Sequence, residues 1–486
     1  MLAGPIGNRA GAVSRPREAG HTSTGHGERR PGWADATDGG GEESAPKIGT
    51  TAPASRGEAR QSRQDADADL RSLNLLQPST PSTPTRAEAA AGPSGSEPGS
   101  SPGVFSAQSL SGAIDRGWIS SGHGAGSAGS IQPASLDLRL GDVAWRLRCS
   151  FLPDRDSTVE EKLQDLALEK IDLAQGAFLE RNRPYLIPLA EELELPGHVR
   201  ARTNPKSSTG RLDVFTRVIT DRNSRFDEIR PGYRGRMYLE VVPRSFAIQV
   251  QQGLSLNQLR LITGEHALDD AAIRRADTET PLLYRDGEPV PASEMPLSGG
   301  LFLSLDLTAN EDRPVGFRAK RTSQQIDLSK IRHYDWQEYW EPVRPEKDGR
   351  VILEPEEFYL LLSREGVCIP PDLAAEMAAY DPTAGELRTH YAGFFDPGFG
   401  LHPGATSQGS RAALEVRARD VPFMVENDQP VCKLTFERMD HRPDLLYGEE
   451  LASNYQGQET MLSKHFTGQT AGVQPIRPNA ESGERN

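Results

Sequence analysis

One short stretch of the chain concentrates side chains that suit phosphate groups. Lys206-Ser207-Ser208-Thr209-Gly210-Arg211 combines an ammonium, hydroxyls, a glycine and a guanidinium in consecutive positions. Hydroxyl and backbone groups donate to phosphate oxygens, Arg binds them with a planar fork, and Gly lets the backbone approach closely. A Walker A loop is not present, because G-x-x-x-x-G-K-[ST] is missing. The stretch predicts a triphosphate-binding turn, and an ordinary polar turn is the alternative.

A second segment has the composition of a base-binding hairpin. His390–Gly400 contains several aromatic residues and the turn dipeptide Pro397-Gly398, which is typical of a hairpin. The rings could wall a flat base, and exposed backbone groups could read its edge. A hairpin packed in a β-core is the alternative.

Two glutamates occur in the same local context, at Leu239-Glu240-Val241 and Leu414-Glu415-Val416. On a strand, Leu and Val share one face and Glu lies on the other. A Glu that faces solvent needs no special role. A Glu that faces a cleft has its pKa raised by desolvation, into the range of a general base. Both glutamates are therefore candidates.

Composition narrows the class of protein. The chain has 486 residues and a formal net charge of −14, which argues against a nucleic acid as the main partner but not against a nucleotide. No apolar run reaches about 18 residues, so no membrane span is predicted. No secretory signal follows Met1, and the three scattered cysteines fit neither disulfides nor a zinc site. We therefore expect a cytoplasmic protein.

The elements that must position these residues are mostly short strands broken by Gly and Pro. Strands are predicted at Ser135–Leu140, Arg236–Val242 and Ser245–Val250, from alternation and β-rich composition. Residues 106–116 and 355–364 predict short helices. The pattern indicates a mainly β protein of sandwich or barrel type.

An internal repeat divides the chain. The pattern from Leu239 to Leu259 returns from Leu414 to Leu434, and Leu195-Pro196 returns at Ile369-Pro370, with a nearly constant offset. The chain therefore contains a tandem duplication. We expect its junction near residues 325–350, with the aromatic-rich segment His333–Pro342 packed between the two domains.

Composition and the internal repeat together divide the chain into four predicted segments. Residues 1–102 are rich in Gly, Ser and Pro and poor in large apolar residues, which predicts a disordered tail. Residues 103–325 form the predicted first domain, with the phosphate motif. Residues 326–470 form the predicted second domain, with the hairpin and a C-terminal lid. Residues 471–486 are predicted to be a flexible tail.

The motifs resemble those of dCTP deaminases, in the dUTPase-like superfamily. Ile131–Gly141 is similar to their opening strand, and Lys206–Arg211 to their R-S-S-x-x-R motif, with Lys in place of the first Arg. Tyr391–Phe399 resembles their T-A-G-x-I-D-P-G-[FWY] hairpin. Asn454–Gln458 resembles their C-terminal Y-x-x-Q segment, which folds over the nucleotide. Together with the Leu-Glu-Val strands, these motifs cover most of residues 103–466 in the family's order, and the length and duplication are most similar to long two-domain bacterial members.

The resemblance implies two tandem dUTPase-like domains of β-clip or distorted jelly-roll type, with few short helices. It implies hydrolysis of dCTP to dUTP and ammonia, a step in pyrimidine deoxynucleotide biosynthesis. Glu415 is the favoured general base, and Glu240 stays a candidate because it keeps the family's spacing from Pro-Gly better. Ser207 and Arg211 would position the water or the α-phosphate. Mg²⁺ is expected with the triphosphate, and no zinc, since the ligand pattern of zinc deaminases is missing.

The resemblance also implies a divided substrate site. The first copy lacks the Ala-Gly and Asp-Pro of the hairpin, and the second lacks Ser-Ser over residues 380–388. In single-domain relatives the site lies between subunits, so one copy would hold the phosphates and the other the base, within one chain or between chains. A homo-oligomer with a threefold arrangement of domains is expected. The implied substrate contacts are Lys206, Ser207, Ser208, Arg211, Ala392, Asp396, Phe399, Tyr455 and Gln458.

Two other functions stay open at this point. A dUTP diphosphatase, or a bifunctional deaminase–diphosphatase, would need an acidic group that positions water at the α-phosphate, and Asp213 is a candidate. A non-catalytic nucleotide-sensing protein that kept the fold is an alternative of another class.

Overall fold

The computed structural model describes residues 101–121, 131–308, 314–378, 387–389, 393–401, 408–418, 420–448, 455 and 461–467. The predicted tails at residues 1–102 and 471–486 therefore lie outside the described residues, apart from residues 101 and 102. Ala392 and Gln458 also lie outside them. No helix in the described ranges is long and apolar enough to cross a membrane.

The helices of the described residues are short. They are α1 (Ala107–Asp115), α2 (Val159–Leu166), α3 (Ser207–Gly210), α4 (Asp270–Glu279) and α5 (Trp336–Tyr339).

Strands make up most of the regular structure. In the first half they are β1 (Gly103–Val104), β2 (Ile119–Ser121), β3 (Leu136–Arg139), β4 (Val143–Leu147), β5 (Ala167–Asp172), β6 (Ala177–Leu179), β7 (Tyr185–Glu194), β8 (Val199–Pro205), β9 (Val214–Thr220), β10 (Glu228–Ile229), β11 (Arg234–Pro243), β12 (Ile248–Val250) and β13 (Ser255–Thr263). In the second half they are β14 (Leu283–Arg285), β15 (Glu288–Pro289), β16 (Leu301–Ser304), β17 (Gly316–Ala319), β18 (Ile326–Asp327), β19 (Tyr334–Asp335), β20 (Trp340–Val343), β21 (Arg350–Leu353), β22 (Phe358–Val367), β23 (Leu373–Ala378), β24 (Leu387–Thr389), β25 (Phe394–Phe395), β26 (Ser410–Ala418), β27 (Phe423–Glu426), β28 (Pro430–Arg438) and β29 (Phe466–Thr467).

The predicted mainly β fold is confirmed, and one of the two predicted helices is wrong. The helix predicted over 106–116 is α1, but residues 355–364 include most of strand β22. Nearly every residue of β22 is buried. The apolar run at residues 358–362 fits a buried strand as well as a buried helix, so periodicity alone does not separate the two.

The first copy is built on two antiparallel sheets. One has the order β1-β13-β8-β10, with β3 on β13, and the other has the order β5-β4-β7-β11-β9, with β2 on β7. Apolar residues of both sheets, such as Leu138, Leu239 and Leu259, share one hydrophobic core.

The second copy repeats this topology. Its sheets have the orders β16-β28-β23-β25 and β15-β14-β22-β17-β20, with β26 on β22 and β24 on β26. β23 pairs with β28 as β8 pairs with β13. Leu361, Leu414 and Leu434 lie in its own core. The repeat in the sequence is therefore a repeat of sheet pairing.

The change from one copy to the other lies earlier in the chain than the boundary predicted at 325/326. β14, which begins at Leu283, pairs with β22, and β16 pairs with β28. Both strands thus belong to the sheets of the second copy. The repeated motifs stop near Leu259 and resume at Ile369, so they gave no marker for the residues in between.

The aromatic segment His333–Pro342 packs between the copies, as predicted. The ring of Trp340 lies 5.3 Å from that of Phe246 in the first copy and 6.1 Å from that of Phe358 in the second, measured between ring centroids. Phe466, near the C-terminus, lies 6.0 Å from the same ring. One apolar cluster thus joins both copies and the C-terminal segment.

Candidate active site

The predicted phosphate motif forms a single helical turn at the end of β8. The Lys206 carbonyl accepts from the N–H groups of Thr209 (2.8 Å) and Gly210 (3.0 Å), and the Ser207 carbonyl accepts from the Arg211 N–H (3.1 Å). We call residues 206–211 the phosphate turn. Because the turn is tight, successive side chains point to different sides.

One cavity beside this turn is lined by both copies. The predicted site residues that line it are Ser207, Arg211, Asp396, Phe399, Glu415 and Tyr455. The first two belong to the first copy, and the others to the second copy and the C-terminal segment. The sequence predicted that the phosphate-binding residues lie in one copy and the base-binding residues in the other. The structure brings the two groups together within one chain.

Glu415 lies directly over the backbone of the phosphate turn. A methyl group in place of a Gly210 hydrogen would lie 2.4 Å from each carboxylate oxygen of Glu415. The side chain is buried, and burial raises the pKa of the Glu415 carboxyl well above its usual value, although the positive charge of Arg211 opposes the shift. Its Oε2 has no hydrogen-bond partner among the described residues. The carboxyl group is therefore available to a small polar molecule in the cavity.

The C-terminal segment is attached to the same turn. The Arg211 guanidinium carbon lies 3.9 Å from the centroid of the Tyr455 ring, and Nη1 donates to the Met461 carbonyl at 3.4 Å. The Ser463 hydroxyl donates to the Ser208 carbonyl at 2.9 Å. The segment predicted to fold over the nucleotide thus touches the phosphate turn.

The hairpin side of the cavity is aromatic. The rings of Phe395 and Phe399 meet edge to face with centroids 5.1 Å apart, and Tyr447 lies 5.6 Å from Phe399. Gly398 has φ of +96°, and a Cβ there would lie 2.9 Å from the Tyr447 backbone. Only glycine fits this turn without strain. Asp396, also buried, accepts from Arg260 at 2.9 Å.

A second cavity lies beside the phosphate turn. Lys206, Ser208 and Thr209 line it, together with Lys464 of the C-terminal segment. Lys206 forms an ion pair with Asp137. Burial lowers the pKa of Lys464, and the neighbouring charge of Lys206 lowers it further. The two ammonium groups and the carboxylate of Asp137 leave a net positive charge beside this cavity, which favours an anionic occupant.

Glu240 is not brought to either cavity. It is fully buried on β11, opposite Arg217 of β9. Arg217 donates to its Oε1 from Nη2 at 2.6 Å and from Nε at 3.2 Å. The Arg217 guanidinium also stacks on Phe226, 3.6 Å from the ring centroid. Glu240 is thus one half of an ion pair in the first copy.

Asp213, the candidate for a diphosphatase, is also bound elsewhere. It is fully buried, forms an ion pair with Arg417 and accepts from the Ser245 hydroxyl at 2.6 Å. It lines neither cavity.

Sequence reasoning missed several residues around the site. Met377, Arg411 and Tyr447 line the first cavity, and Arg260 holds Asp396. None of them belongs to a recognised motif. An isolated Arg or Met on a strand gives no signal of its position in the fold.

Known proteins match these features. Residues 101–265 match the family model for the N-terminal domain of 2'-deoxycytidine 5'-triphosphate deaminase, and residues 269–466 match the model for its C-terminal domain. The solved structure of 2'-deoxycytidine 5'-triphosphate deaminase from Agrobacterium tumefaciens is 40% identical, with a TM-score of 0.65, and the match covers 71% of this chain and 100% of that one. The chain belongs to the dCTP deaminase family. The resemblance predicted from the motifs is confirmed, including the dUTPase-like fold.

The matches between this chain and curated relatives cover shorter stretches of sequence. One, named "dCTP deaminase, dUMP-forming", is from Methanoculleus marisnigri and is 32% identical over 135 residues, or 27% of this chain and 66% of the relative. Another of the same name, from Pseudarthrobacter chlorophenolicus, is 33% identical over 119 residues, or 24% of this chain and 58% of the relative. The chain thus spans less than two thirds of the length of these relatives.

Proposed function

We propose that the protein hydrolyses dCTP to dUTP and ammonia at one composite site per chain. A single observation carries this proposal. The desolvated carboxyl group of Glu415 lies over Gly210 of the phosphate turn, in a cavity that is also lined by Asp396 and Phe399 of the hairpin. The general base, the phosphate contacts and the base contacts are therefore adjacent.

In this mechanism Glu415 takes a proton from a water molecule whose oxygen attacks C4 of cytosine. The C4–O bond forms, and the protonated carboxyl returns the proton to ring N3. The C4–N bond then breaks, and the amine leaves as ammonia with a further proton from the attacking oxygen. Burial supports the first step, because a raised pKa makes the Glu415 carboxylate a stronger base than an exposed one. A positioned base of this kind contributes about 10²–10⁴-fold in rate.

The two cavities divide the nucleotide. Ser207 and Arg211 lie in the cavity with Glu415 and suit the α-phosphate, whose oxygens accept from hydroxyl and guanidinium donors. Lys206, Ser208 and Lys464 line the neighbouring cavity and suit the terminal phosphates. Ala392 and Gln458 remain proposed contacts from the family motifs.

Mg²⁺ with the triphosphate, and a reaction without zinc, stay predictions. The described residues contain no group of three His, Cys, Asp or Glu side chains arranged for a metal ion. Mg²⁺ would accompany the triphosphate as its counter-ion. A homo-oligomer and a cytoplasmic location also stay predictions.

A bifunctional, dUMP-forming reaction is the second candidate, because relatives carry that name. It would need an acidic group that positions a water molecule at the α-phosphate. Asp213 does not suit this role, since Arg417 and Ser245 occupy its carboxylate away from the cavities. The geometry thus favours release of dUTP.

The deciding experiment incubates the protein with dCTP and follows ammonia, dUTP and dUMP over time. Ammonia and dUTP in equal amounts, with no dUMP, are expected. Formation of dUMP in step with ammonia would instead support the bifunctional reaction. Binding of dCTP without ammonia release would support the nucleotide-sensing alternative and reject the deaminase.

A further inference from the structure

Arg260 of the first copy reaches into the hairpin of the second copy. It lies on β13 and is fully buried. Its Nη2 donates to the Phe395 carbonyl at 3.0 Å and to Oδ1 of Asp396 at 2.9 Å. The guanidinium carbon also lies 4.0 Å from the centroid of the Phe394 ring. Three consecutive hairpin residues are thus held through a ring, a carbonyl and a carboxylate.

Other contacts of Arg260 fix the guanidinium itself. Nη1 donates to the Ala375 carbonyl at 3.0 Å and to Oε2 of Glu437 at 3.2 Å. Glu437 also binds Arg202 and His266, each at 3.2 Å. Burial raises the pKa of Glu437, but His266, Arg260 and Arg202 outweigh it and lower that pKa to about 2. Glu437 therefore stays ionised and anchors the guanidinium in one orientation.

The strand that carries Arg260 pairs with the strand that leads into the phosphate turn. β13 pairs with β8 in continuous register, with Arg260 opposite Arg202 and Asn257 opposite Pro205. The chain passes from Pro205 directly into Lys206, the first residue of the turn. Backbone pairing therefore fixes the turn relative to Arg260, and Arg260 fixes the hairpin relative to the turn.

A role in joining the two copies does not by itself explain why a buried arginine stands at position 260. Burial of a charge is costly, and an apolar side chain of similar size often joins two surfaces as well or better. The planar fork of Arg instead sets direction, because its donors have fixed relative positions. Here the donors on Nη2 point at Phe395 and Asp396, which line the cavity that contains Glu415.

We propose that Arg260 is a positioning residue, which sets the distance of the base-reading hairpin from the phosphate turn. This inference rests on the composite site proposed above. Arg260 does not line the cavity and acts through Phe394, Phe395 and Asp396. A shift of the hairpin moves the cytosine away from Glu415 while the phosphate contacts stay in place. Misplacement by about 1 Å costs roughly 10²-fold in rate.

The test compares Arg260→Lys with Arg202→Gln. Lys keeps the charge, but one ammonium cannot reproduce the forked donation to the hairpin. Arg202→Gln removes contacts of the same interface to Glu376 and Glu437, while the three contacts of Arg260 with the hairpin stay in place. For each variant the melting temperature, kcat and KM for dCTP, and the affinities for dCTP and inorganic triphosphate are measured.

For Arg260→Lys we expect kcat/KM for dCTP to fall by about 10²-fold and dCTP affinity to fall, while affinity for inorganic triphosphate stays the same. Arg202→Gln should lower the melting temperature and should lower kcat/KM by much less than Arg260→Lys does, because Glu437 keeps its contacts with Arg260 and His266. Unchanged kcat/KM in Arg260→Lys, or a parallel loss of triphosphate affinity, would overturn the inference. If Arg260→Lys does not fold, the double variant Arg260→Gln with Glu437→Gln takes its place, because it removes the partner charge as well.

Failure of the proposed function would be distinguishable from failure of this inference. If the unmodified protein releases no ammonia, the deaminase proposal fails. The ratio of dCTP affinity to triphosphate affinity still tests Arg260 in that case, because it depends on base contacts and not on turnover.

Discussion

Glu240 of the first copy and Glu415 of the second stand at matching places in the repeat, on β11 and β26, but their surroundings differ. Two hydrogen bonds from Arg217 hold the carboxylate of Glu240. Burial raises the pKa of Glu415, whose carboxyl group faces the cavity beside the phosphate turn. A carboxylate bound to a guanidinium stabilises a sheet, whereas a desolvated one next to a cavity can exchange a proton. The two copies therefore place similar sequences in different surroundings.

The interface between the copies shows a second difference of the same kind. Arg202 of β8 and Glu376 of β23 occupy matching positions in the repeat and form an ion pair with each other. Two identical copies would present like charges at these positions, which would repel. Complementary charges instead favour the pairing of a first copy with a second copy, and that pairing builds the composite site.

The largest expected effect is the loss of turnover in Glu415→Gln. Gln keeps the shape of the side chain but cannot take a proton from water, so we expect ammonia release to fall by about 10²–10⁴-fold, with dCTP binding retained. Glu240→Gln is the matched control and should keep most of the activity. Near-normal turnover in Glu415→Gln, with loss in Glu240→Gln, would reverse the assignment of the base.

A methyl group at Gly210 should displace the carboxyl group of Glu415. In Gly210→Ala the added Cβ would lie 2.4 Å from both carboxylate oxygens, whereas nothing lies within 4 Å of a Cβ at Gly197. Because the carboxyl group must move, we expect kcat to fall by about 10-fold or more, with a small change in melting temperature. Gly197→Ala should leave kcat unchanged. Equal activity of the two variants would show that the position of Glu415 over the turn is not needed.

The two glutamates should also affect stability with opposite signs. The pKa of Glu415 is higher in the folded state than in the unfolded chain. The stability that Glu415 contributes at low pH is therefore lost as the pH rises from the unfolded-state pKa through the folded-state pKa. At neutral pH we therefore expect Glu415→Gln to raise the melting temperature, and this gain should vanish below about pH 4. Glu240→Gln should lower the free energy of unfolding by about 1–3 kcal/mol, because it weakens a buried ion pair. Thermal melts of both variants at about pH 7 and below about pH 4 check these expectations. A change of melting temperature in the same direction for both variants at neutral pH would contradict the comparison.

The sequence predicted the family and the repeat, because short motifs carry them, and the same motifs contain several of the residues that line the cavity between the copies. It could not place Glu415 over Gly210, since residues far apart in the chain meet only through the pairing of the two copies. For the same reason the local context Leu-Glu-Val did not separate Glu240 from Glu415. Their difference comes from Arg217, which stands opposite Glu240 on β9.

Other elements were beyond sequence reasoning for physical reasons. The early strands of the second copy, β14 and β16, match no repeated motif, so the boundary was predicted too late. Asp213 looked suited to an α-phosphate from its spacing to Arg211, but its side chain turns towards Arg417. Arg260 is the one charged residue of the buried strand β13, and only its partners across the interface point to the proposed role.

The central claim is that the phosphate turn of the first copy and Glu415 of the second copy form one site within a single chain. Its most direct test combines Arg211→Ala and Glu415→Gln, each made in a separately tagged chain. The two chains are co-expressed, purified through both tags and assayed with dCTP below the KM of the unmodified protein. Every site then lacks one of the two residues, so we expect no recovery of ammonia release beyond that of the single variants. Substantial recovery would contradict the claim, because it would require that the turn and the glutamate of one site come from different chains.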